Sequence, residues 1–215
     1  MQVLLLANGE LKRGVMLDRM LASLDLPHVI CADGGALHAR ALGLMPHTII
    51  GDLDSLSADE VARFRAAGAE IIQHSPDKDE TDLELALHHC RRIGATSIHI
   101  LGALGGRFDQ TLANIHLLML PALNDVVVEV VDGDQSIRLL KPGAHDIQGQ
   151  PGDLISLIPL VSAERITTRD LRYPLGGGTL RFGPARGVSN VIVGNRPAVH
   201  FRYGLLLLVH ICGIP

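Results

Sequence analysis

Over its first 120 or so residues the chain alternates between two hydrophobic periods, and that alternation narrows the possible folds more than any other feature. Val3 to Leu6 is a short, wholly apolar run that ends at Asn8-Gly9. From Val15 to Leu24, apolar residues recur at helical spacing (Met16, Leu17, Met20, Leu21, Leu24). Val29-Ile30-Cys31-Ala32 ends at Asp33-Gly34-Gly35, and Thr48-Ile49-Ile50 ends at Gly51-Asp52. Ser57 with Glu60 has the form of a capping box and predicts a helix to about Ala67, stopped by Gly68. Ile71-Ile72 follows, then an amphipathic helix from Leu83 to Ile93 stopped by Gly94. Ile98 to Leu101 reads as a strand, and Leu112 to Leu120 as a helix closed by Pro121. Short apolar strands alternating with helices predict a mostly parallel sheet covered on both faces.

After Asp125 the pattern changes. Val126 to Val131 and Ile137 to Leu140 are strand-like, and beyond Lys141-Pro142-Gly143 no good helix pattern remains. Short β-type runs take over: Leu154 to Leu160, Arg165 to Leu171, Thr179 to Phe182, Val191 to Val193 and Val199 to Val209. Gly, Pro, Asn and Asp separate them, and Gly176-Gly177-Gly178 reads as a flexible hairpin loop. The expectation is α/β plus all-β: an α/β domain over residues 1–141 and a small β-sandwich over 142–215. A length of 215 residues, above the usual single-domain range of about 100–150, accommodates both.

Composition removes several classes of function. Hydrophobic residues at 47% and charged residues at 20% supply a core and exclude a disordered chain. Nineteen Lys and Arg against 23 Asp and Glu leave a net charge of −4, a poor match to a phosphate backbone, and with no Trp and 3% aromatics base stacking is also weakly supported. Nucleic acid is therefore not an expected partner. Cys31, Cys90 and Cys212 are odd in number and lack CxxC spacing, so they read as reduced, buried thiols of a cytoplasmic protein. Met1 to Ala7 has no basic segment of a secretory signal. The longest apolar run, Leu205 to Val209, falls far short of the roughly 20 residues of a membrane helix, so no membrane partner is expected.

In a parallel α/β sheet, ligands bind beyond the carboxyl ends of the strands, and the acids of this chain gather there. Asp33 follows the second strand, and Asp52 and Asp54 the third. Asp77, Asp79, Glu80 and Asp82 follow the fourth, and Asp109 follows the fifth within Gly105-Gly106-Arg107-Phe108-Asp109-Gln110. Converging carboxylates repel unless protons or a cation join them. All are hard oxygen donors without paired His or Cys, which favours Mg²⁺. Asp77, Asp79 and Glu80 are at least as well explained as acids ahead of a helix N-terminus. Asp52 and Asp54 have no such local reason.

Gly105-Gly106-Arg107 lies between a strand and a helix, where glycines admit a phosphate and Arg can grip it in bidentate fashion. Neither GxxxxGK[ST] nor GxGxxG is present, so a P-loop enzyme and a standard dinucleotide binder are unsupported. His88-His89 point in different directions on one helix and make a poor metal pair. Cys31 reads as a packed thiol at a strand end, with no adjacent base.

Four segments in order resemble the thiamine pyrophosphokinase (thiamine diphosphokinase) family. They are Cys31-Ala32-Asp33-Gly34-Gly35-Ala36, Gly51-Asp52-Leu53-Asp54-Ser55, Asp77-Lys78-Asp79-Glu80-Thr81-Asp82 and Gly105-Gly106-Arg107-Phe108-Asp109-Gln110. Leu171-Arg172-Tyr173-Pro174-Leu175 and Gly187-Val188-Ser189-Asn190 extend the resemblance over nearly the whole chain. It implies an N-terminal three-layer, Rossmann-like α/β catalytic domain that binds ATP and Mg²⁺, and a C-terminal β-sandwich that binds thiamine. It also implies a homodimer, with thiamine in a cleft shared with the partner's C-terminal domain, and the reaction ATP + thiamine giving thiamine diphosphate + AMP. By motif, Asp52 and Asp54 would hold Mg²⁺, with Asp82 and Asp33 completing the set. Thr81, Arg107, Asp109 and Gln110 would lie in the nucleotide and thiamine cleft, and Ser189 and Asn190 would position the thiamine pyrimidine. Three departures stand out: Gln110 where many members have His, Val191 where many bacterial members have Glu, and no Trp to stack on thiamine, which leaves Tyr173, Phe201 or Tyr203.

The chemistry so implied is attack of the thiamine hydroxyl on the β-phosphorus of Mg·ATP, with positioning and charge stabilisation supplying most of the rate. Arg107 is a second candidate for stabilising the moving diphosphate, and Asp109 or Asp82 for orienting or deprotonating the hydroxyl. Two alternatives are a Mg²⁺-dependent, ATP-using transferase with another hydroxyl acceptor, and a non-catalytic module that binds thiamine diphosphate or a nucleotide.

Overall fold

The computed structural model describes residues 1–212. Two compact units form, one from residues 1–13 and 19–132, the other from residues 14–18 and the chain from Gly133 onward. From the N-terminus the elements are β1 (Gln2–Leu6), α1 (Val15–Ser23), β2 (His28–Ala32), α2 (Gly35–Ala41), β3 (Thr48–Gly51), α3 (Ala58–Ala66), β4 (Glu70–Gln73), α4 (Asp82–Arg92), β5 (Ser97–Leu101), α5 (Phe108–His116) and β6 (Val127–Asp132).

The strands of the first unit pair in the order β4-β3-β2-β1-β5-β6, and every pairing is parallel. Val3, Leu4, Leu5 and Leu6 of β1 are all fully buried. Successive strand side chains point to opposite faces, so this burial means that both faces of the sheet are covered at β1. The helix α2 packs on β1 and β2, and α4 on β2 and β3. The chain lays down β1 to β4 in one direction and then returns to place β5 on the other side of β1. That reversal opens a crevice beyond the ends of β1 and β5.

Helix boundaries follow local chemistry. The predicted capping box is present: Glu60 N donates to Ser57 Oγ at 3.3 Å and Ser57 N donates to Glu60 Oε2 at 3.0 Å. Thr81 caps α4 by accepting from Glu84 N at 3.2 Å. The last predicted helix starts four residues early, at Phe108, and ends at His116, followed by two 3-10 turns at Leu117–Met119 and Pro121–Leu123. Leu120, just before Pro121, has ψ 127°, the extended conformation that a following proline imposes. The short α2 has no counterpart among the predicted elements.

The second unit is antiparallel throughout. Its strands are β7 (Gln135–Leu140), β8 (Gly143–Asp146), β9 (Leu154–Arg169), β10 (Gly176–Leu180), β11 (Asn190–Val191), β12 (Ala198–Phe201) and β13 (Tyr203–Ile211). They run β7-β13-β9-β12-β8, with β10 and β11 also on β9. Three expectations are corrected here. The runs 154–160 and 165–171 are joined through 161–164 into one 16-residue strand, β9, which ends at Arg169 and carries Arg165 at φ +55°. The run 199–209 is two strands, separated at Arg202. Gly176-Gly177-Gly178 is not a loop: it opens β10, with Gly176 opposite Thr167 and Gly178 opposite Ile166, and the register shift between them marks an irregular ladder. The core of this unit gathers Ile155, Ile166, Leu180, Phe201 and Leu206, each 1% exposed or less.

Candidate functional site

The carboxyl ends of β1, β2 and β5 and the N-terminus of α4 surround a cleft of about 590 Å³. At the end of β2 the chain turns through Asp33, at φ +45°. Its backbone is fixed by donation from Asp33 N to Ile50 O at 2.9 Å and by Ala36 N donating to Asp33 O at 3.2 Å. The turn runs against β1, and a Cβ at Gly35 would lie 2.0 Å from Leu6 O, so only glycine fits. Asp52 follows β3, and Asp82 is the first residue of α4.

These three acids, distant in sequence, meet: one carboxylate oxygen from each lies within 4.8 Å of the others. Asp33 is 4% exposed and its Oδ1 has no hydrogen-bond partner. Burial raises the pKa of Asp82; Lys78 opposes that shift, and Asp52 and Asp33 add to it. Lys78 Nζ lies 2.9 Å from Asp82 Oδ1, an ion pair that lacks hydrogen-bond geometry, and 3.7 Å from Asp52 Oδ2. Desolvation pulls the Lys78 ammonium down, but its contacts with Asp82 and Asp52 outweigh that and hold it above its usual range. A Cβ at Gly51 would sit 3.0 Å from Asp33 Cβ and 3.1 Å from Asp82 Cγ, so its absence keeps open the space beside the carboxylates. Hard oxygen donors, orphaned buried oxygens and an open cradle fit a small divalent cation.

The other predicted residues are placed as follows. Asp33, Thr81, Asp82, Arg107 and Gln110 line the cleft; Asp52, Asp54 and Asp109 are not among its walls, although Asp52 meets the two lining acids. Asp54 also stands apart from the three converging acids. Leu53 at φ +67° turns the chain between the two acids, Asp54 N donates to Asp52 Oδ1 at 3.2 Å, and Asp54 Oδ1 accepts from Ser55 Oγ at 3.0 Å. Arg107 and Asp109 are exposed and pair with each other, Arg107 Nε donating to Asp109 Oδ1 at 3.1 Å. That pairing lowers the pKa of Asp109 and raises that of Arg107.

In the second unit, Asn190 borders a separate cleft of about 270 Å³ together with Tyr173, Pro174 and Arg186. Its side-chain amide clamps the backbone of Tyr173: Tyr173 N donates to Asn190 Oδ1 at 3.0 Å, and Asn190 Nδ2 donates to Tyr173 O at 2.8 Å. Ser189 is at φ +58° and its N–H donates to Ser156 Oγ at 3.0 Å. Of the three aromatic candidates, Phe201 is fully buried in the core, whereas Tyr173 and Tyr203 are exposed.

Sequence reasoning passed over three contributors. Lys78 joins the acids. Asn8 lines the cleft and donates to Ser55 Oγ at 2.9 Å. Glu10 Oε1 accepts from Gly106 N at 3.0 Å and so holds the glycine turn. Asn8-Gly9 at a strand end and Lys78 within an acidic run were the available signals. The cysteines match expectation: all three are free and buried, and burial pushes the Cys90 thiol up to about 12. His88 and His89 have separate partners, Glu84 and Arg92. Among the described residues no helix is long and apolar enough to cross a membrane.

Comparison with known proteins agrees with this arrangement. Residues 22–130 match the family model "Thiamin pyrophosphokinase, catalytic domain", and residues 144–206 match "Thiamin pyrophosphokinase, vitamin B1 binding domain". A thiamine pyrophosphokinase of Bacillus subtilis is 29% identical over 182 residues, 84% of this chain and 85% of that protein. Thiamine pyrophosphokinase 1 of Oryza sativa is 32% identical over 189 residues, 76% of this chain and 71% of that protein. The crystal structure of thiamine pyrophosphokinase from Bacillus subtilis superposes with a TM-score of 0.88 at 26% identity, covering both chains fully. One from Enterococcus faecalis gives 0.86 at 27%, again with full coverage of both. With both halves matched in order and three acids of the first half converging at the strand ends, the chain belongs to the thiamin pyrophosphokinase family.

Proposed function

We infer that this protein transfers a diphosphoryl group from ATP to the hydroxyl of thiamine, giving thiamine diphosphate and AMP. The observation that carries the reading is the convergence of Asp52 with Asp33 and Asp82, two acids that line the cleft of a family member. The thiamine oxygen bonds to the β-phosphorus, the bond from that phosphorus to the oxygen bridging the α-phosphorus breaks, and AMP leaves with that oxygen. Asp33, Asp52 and Asp82 would hold Mg²⁺, with Asp54 as the fourth acid of the set. The ion would supply neutralisation of the charge on the moving diphosphate.

The protein's own groups do the rest. Thr81 and Gln110 line the cleft in which ATP would lie, and Arg107 at its edge can exchange its exposed partner Asp109 for a phosphate. Of the two acids considered for the hydroxyl proton, Asp82 lines the cleft and Asp109 does not, so Asp82 is the better placed. We assign ATP and Mg²⁺ to a Rossmann-like domain over residues 1–141, and thiamine, through Ser189 and Asn190, to a β-sandwich over 142–215. The assembly we read is a homodimer in the cytoplasm.

The test is AMP and thiamine diphosphate formation from ATP, with thiamine and Mg²⁺ each present or omitted. Both products should appear together and only with both additions. AMP formation indifferent to thiamine would move the acceptor to another hydroxyl compound. In parallel, Asp82→Asn and Asp54→Asn should fold and lose most turnover, and a fully active variant would remove that residue from the metal set.

A further inference from the structure

The acid cluster already contains a cation. Lys78 Nζ lies 2.9 Å from Asp82 and 3.7 Å from Asp52, and its side chain is only 13% exposed. It serves two of the three acids and leaves the third alone: Asp33 is 4% exposed and its Oδ1 has no partner. Three carboxylates and one ammonium leave a deficit of positive charge within the cluster. A divalent cation would meet that deficit, but it would have to bind the same two carboxylates that Lys78 now faces. Two cations cannot share Asp82 and Asp52 at that range without strong repulsion. Lys78 also lines the same cleft as Thr81, Arg107 and Gln110, and its four-carbon stem lets the ammonium swing without moving the backbone.

We propose that Lys78 is an internal counter-cation of the acid cluster, which holds Asp52 and Asp82 until the phosphates of a nucleotide draw its ammonium away and a divalent cation takes its place. This rests on the reading of the cluster as the metal site. The consequence is a coupling between the two ligands. Nucleotide relieves the competition that weakens metal binding, and by linkage the metal strengthens nucleotide binding by the same factor. Lys78 is thus a positioning residue for the metal and a direct contact for the phosphates.

The test compares the full-length wild type with Lys78→Met and Lys78→Gln, folding being checked by circular dichroism. Mn²⁺ is titrated without nucleotide, free ion being read by electron paramagnetic resonance, and ATP is titrated calorimetrically in EDTA. The two affinities should move in opposite directions: Mn²⁺ tighter by about fivefold or more, metal-free ATP weaker by about tenfold. A residue that merely props the loop would weaken both, and that result, or unchanged Mn²⁺ affinity, overturns the proposal. A second readout needs no variant. Mn²⁺ alone should raise the reactivity of Lys78 toward an amine-acylating reagent, measured by peptide mass spectrometry, and unchanged reactivity also overturns it. Asp82→Asn separates the layers: if it leaves Mn²⁺ affinity intact, the metal reading itself fails, whatever Lys78 does.

Discussion

Replacing Asp33 with Asn should make the metal-free protein more stable and the enzyme nearly inactive. The substitution keeps the shape of the side chain, and Asn tolerates the left-handed backbone at φ +45° as well as Asp does. What changes is charge. At an effective dielectric constant of about 20, two unit charges 4.8 Å apart, the distance within which the donors of the group all lie, repel by about 3.5 kcal/mol. Lys78, 2.9 Å from Asp82, cancels much of this. A net gain of about 1–2 kcal/mol remains, which for a chain of this length raises Tm by about 3–6 °C. Thermal unfolding in EDTA at pH 7.5 reads it. The gain should shrink as the pH falls toward the range in which Asp82, its pKa already raised by burial, takes up a proton. Turnover of ATP and thiamine with saturating Mg²⁺ should drop about 100-fold. An Asp33→Asn protein with unchanged or lower Tm in EDTA would refute the claim that uncompensated repulsion is stored at the strand ends. Undiminished turnover would refute the use of Asp33 as a ligand.

Three more expectations rest on separate parts of the molecule. Ser57→Ala removes the hydroxyl arm of the α3 capping box and should cost about 1 kcal/mol in urea denaturation with an unchanged m value. Asn190→Ala releases the backbone of Tyr173 and should raise KM for thiamine about tenfold while kcat changes little, in steady-state kinetics. His28 and His89 both have pKa values below their ordinary 6.5, through burial first, then through His47 for His28 and Arg92 for His89, with Glu70 opposing in each case. Below pH 6.5 the unfolded chain takes up protons that the folded chain refuses, so stability falls with pH, by at most about 1.4 kcal/mol per unit for each histidine. Denaturation midpoints at pH 7.5 and 5.5 measure this, and a His28→Gln, His89→Gln double variant should flatten the slope.

What could be read in advance divides along a physical line. The strands of the first unit were legible as short apolar runs, most of them soon followed by Gly or Asp, α3 through the capping box at Ser57, and α4 through its amphipathic period and the stop at Gly94. The helix α2 was not: its seven residues carry too little polar contrast for the 3.6 period to register. In the second unit, punctuation misled. The segment 161–164 and the three glycines at 176–178 read as breaks, yet antiparallel pairing holds both within strands, Val161 and Glu164 through β13 and Gly176 and Gly178 through β9. Strand pairing is decided by neighbours far away in sequence, and local propensity yields to them.

The site shows the same division at the scale of single side chains. That Asp33, Asp52 and Asp82 would meet follows from the topology of a parallel sheet, because that fold collects the ends of its strands at one edge. Nothing so general governs Asp54. It lies two residues from Asp52, and spacing alone suggests a joint ligand pair; the positive φ of Leu53 instead swings it onto Ser55, which Asn8 holds in turn. Lys78 is the converse case. Within a run of acids it reads as a solvated charge, and only the path of the loop before α4 brings it back onto Asp82, one helical turn ahead, and onto Asp52 of another strand. Topology can thus be read as a rule, whereas the sharing of charge within the cluster depends on individual backbone angles. The residues that set the charge balance of the acid cluster are those least visible in the motifs.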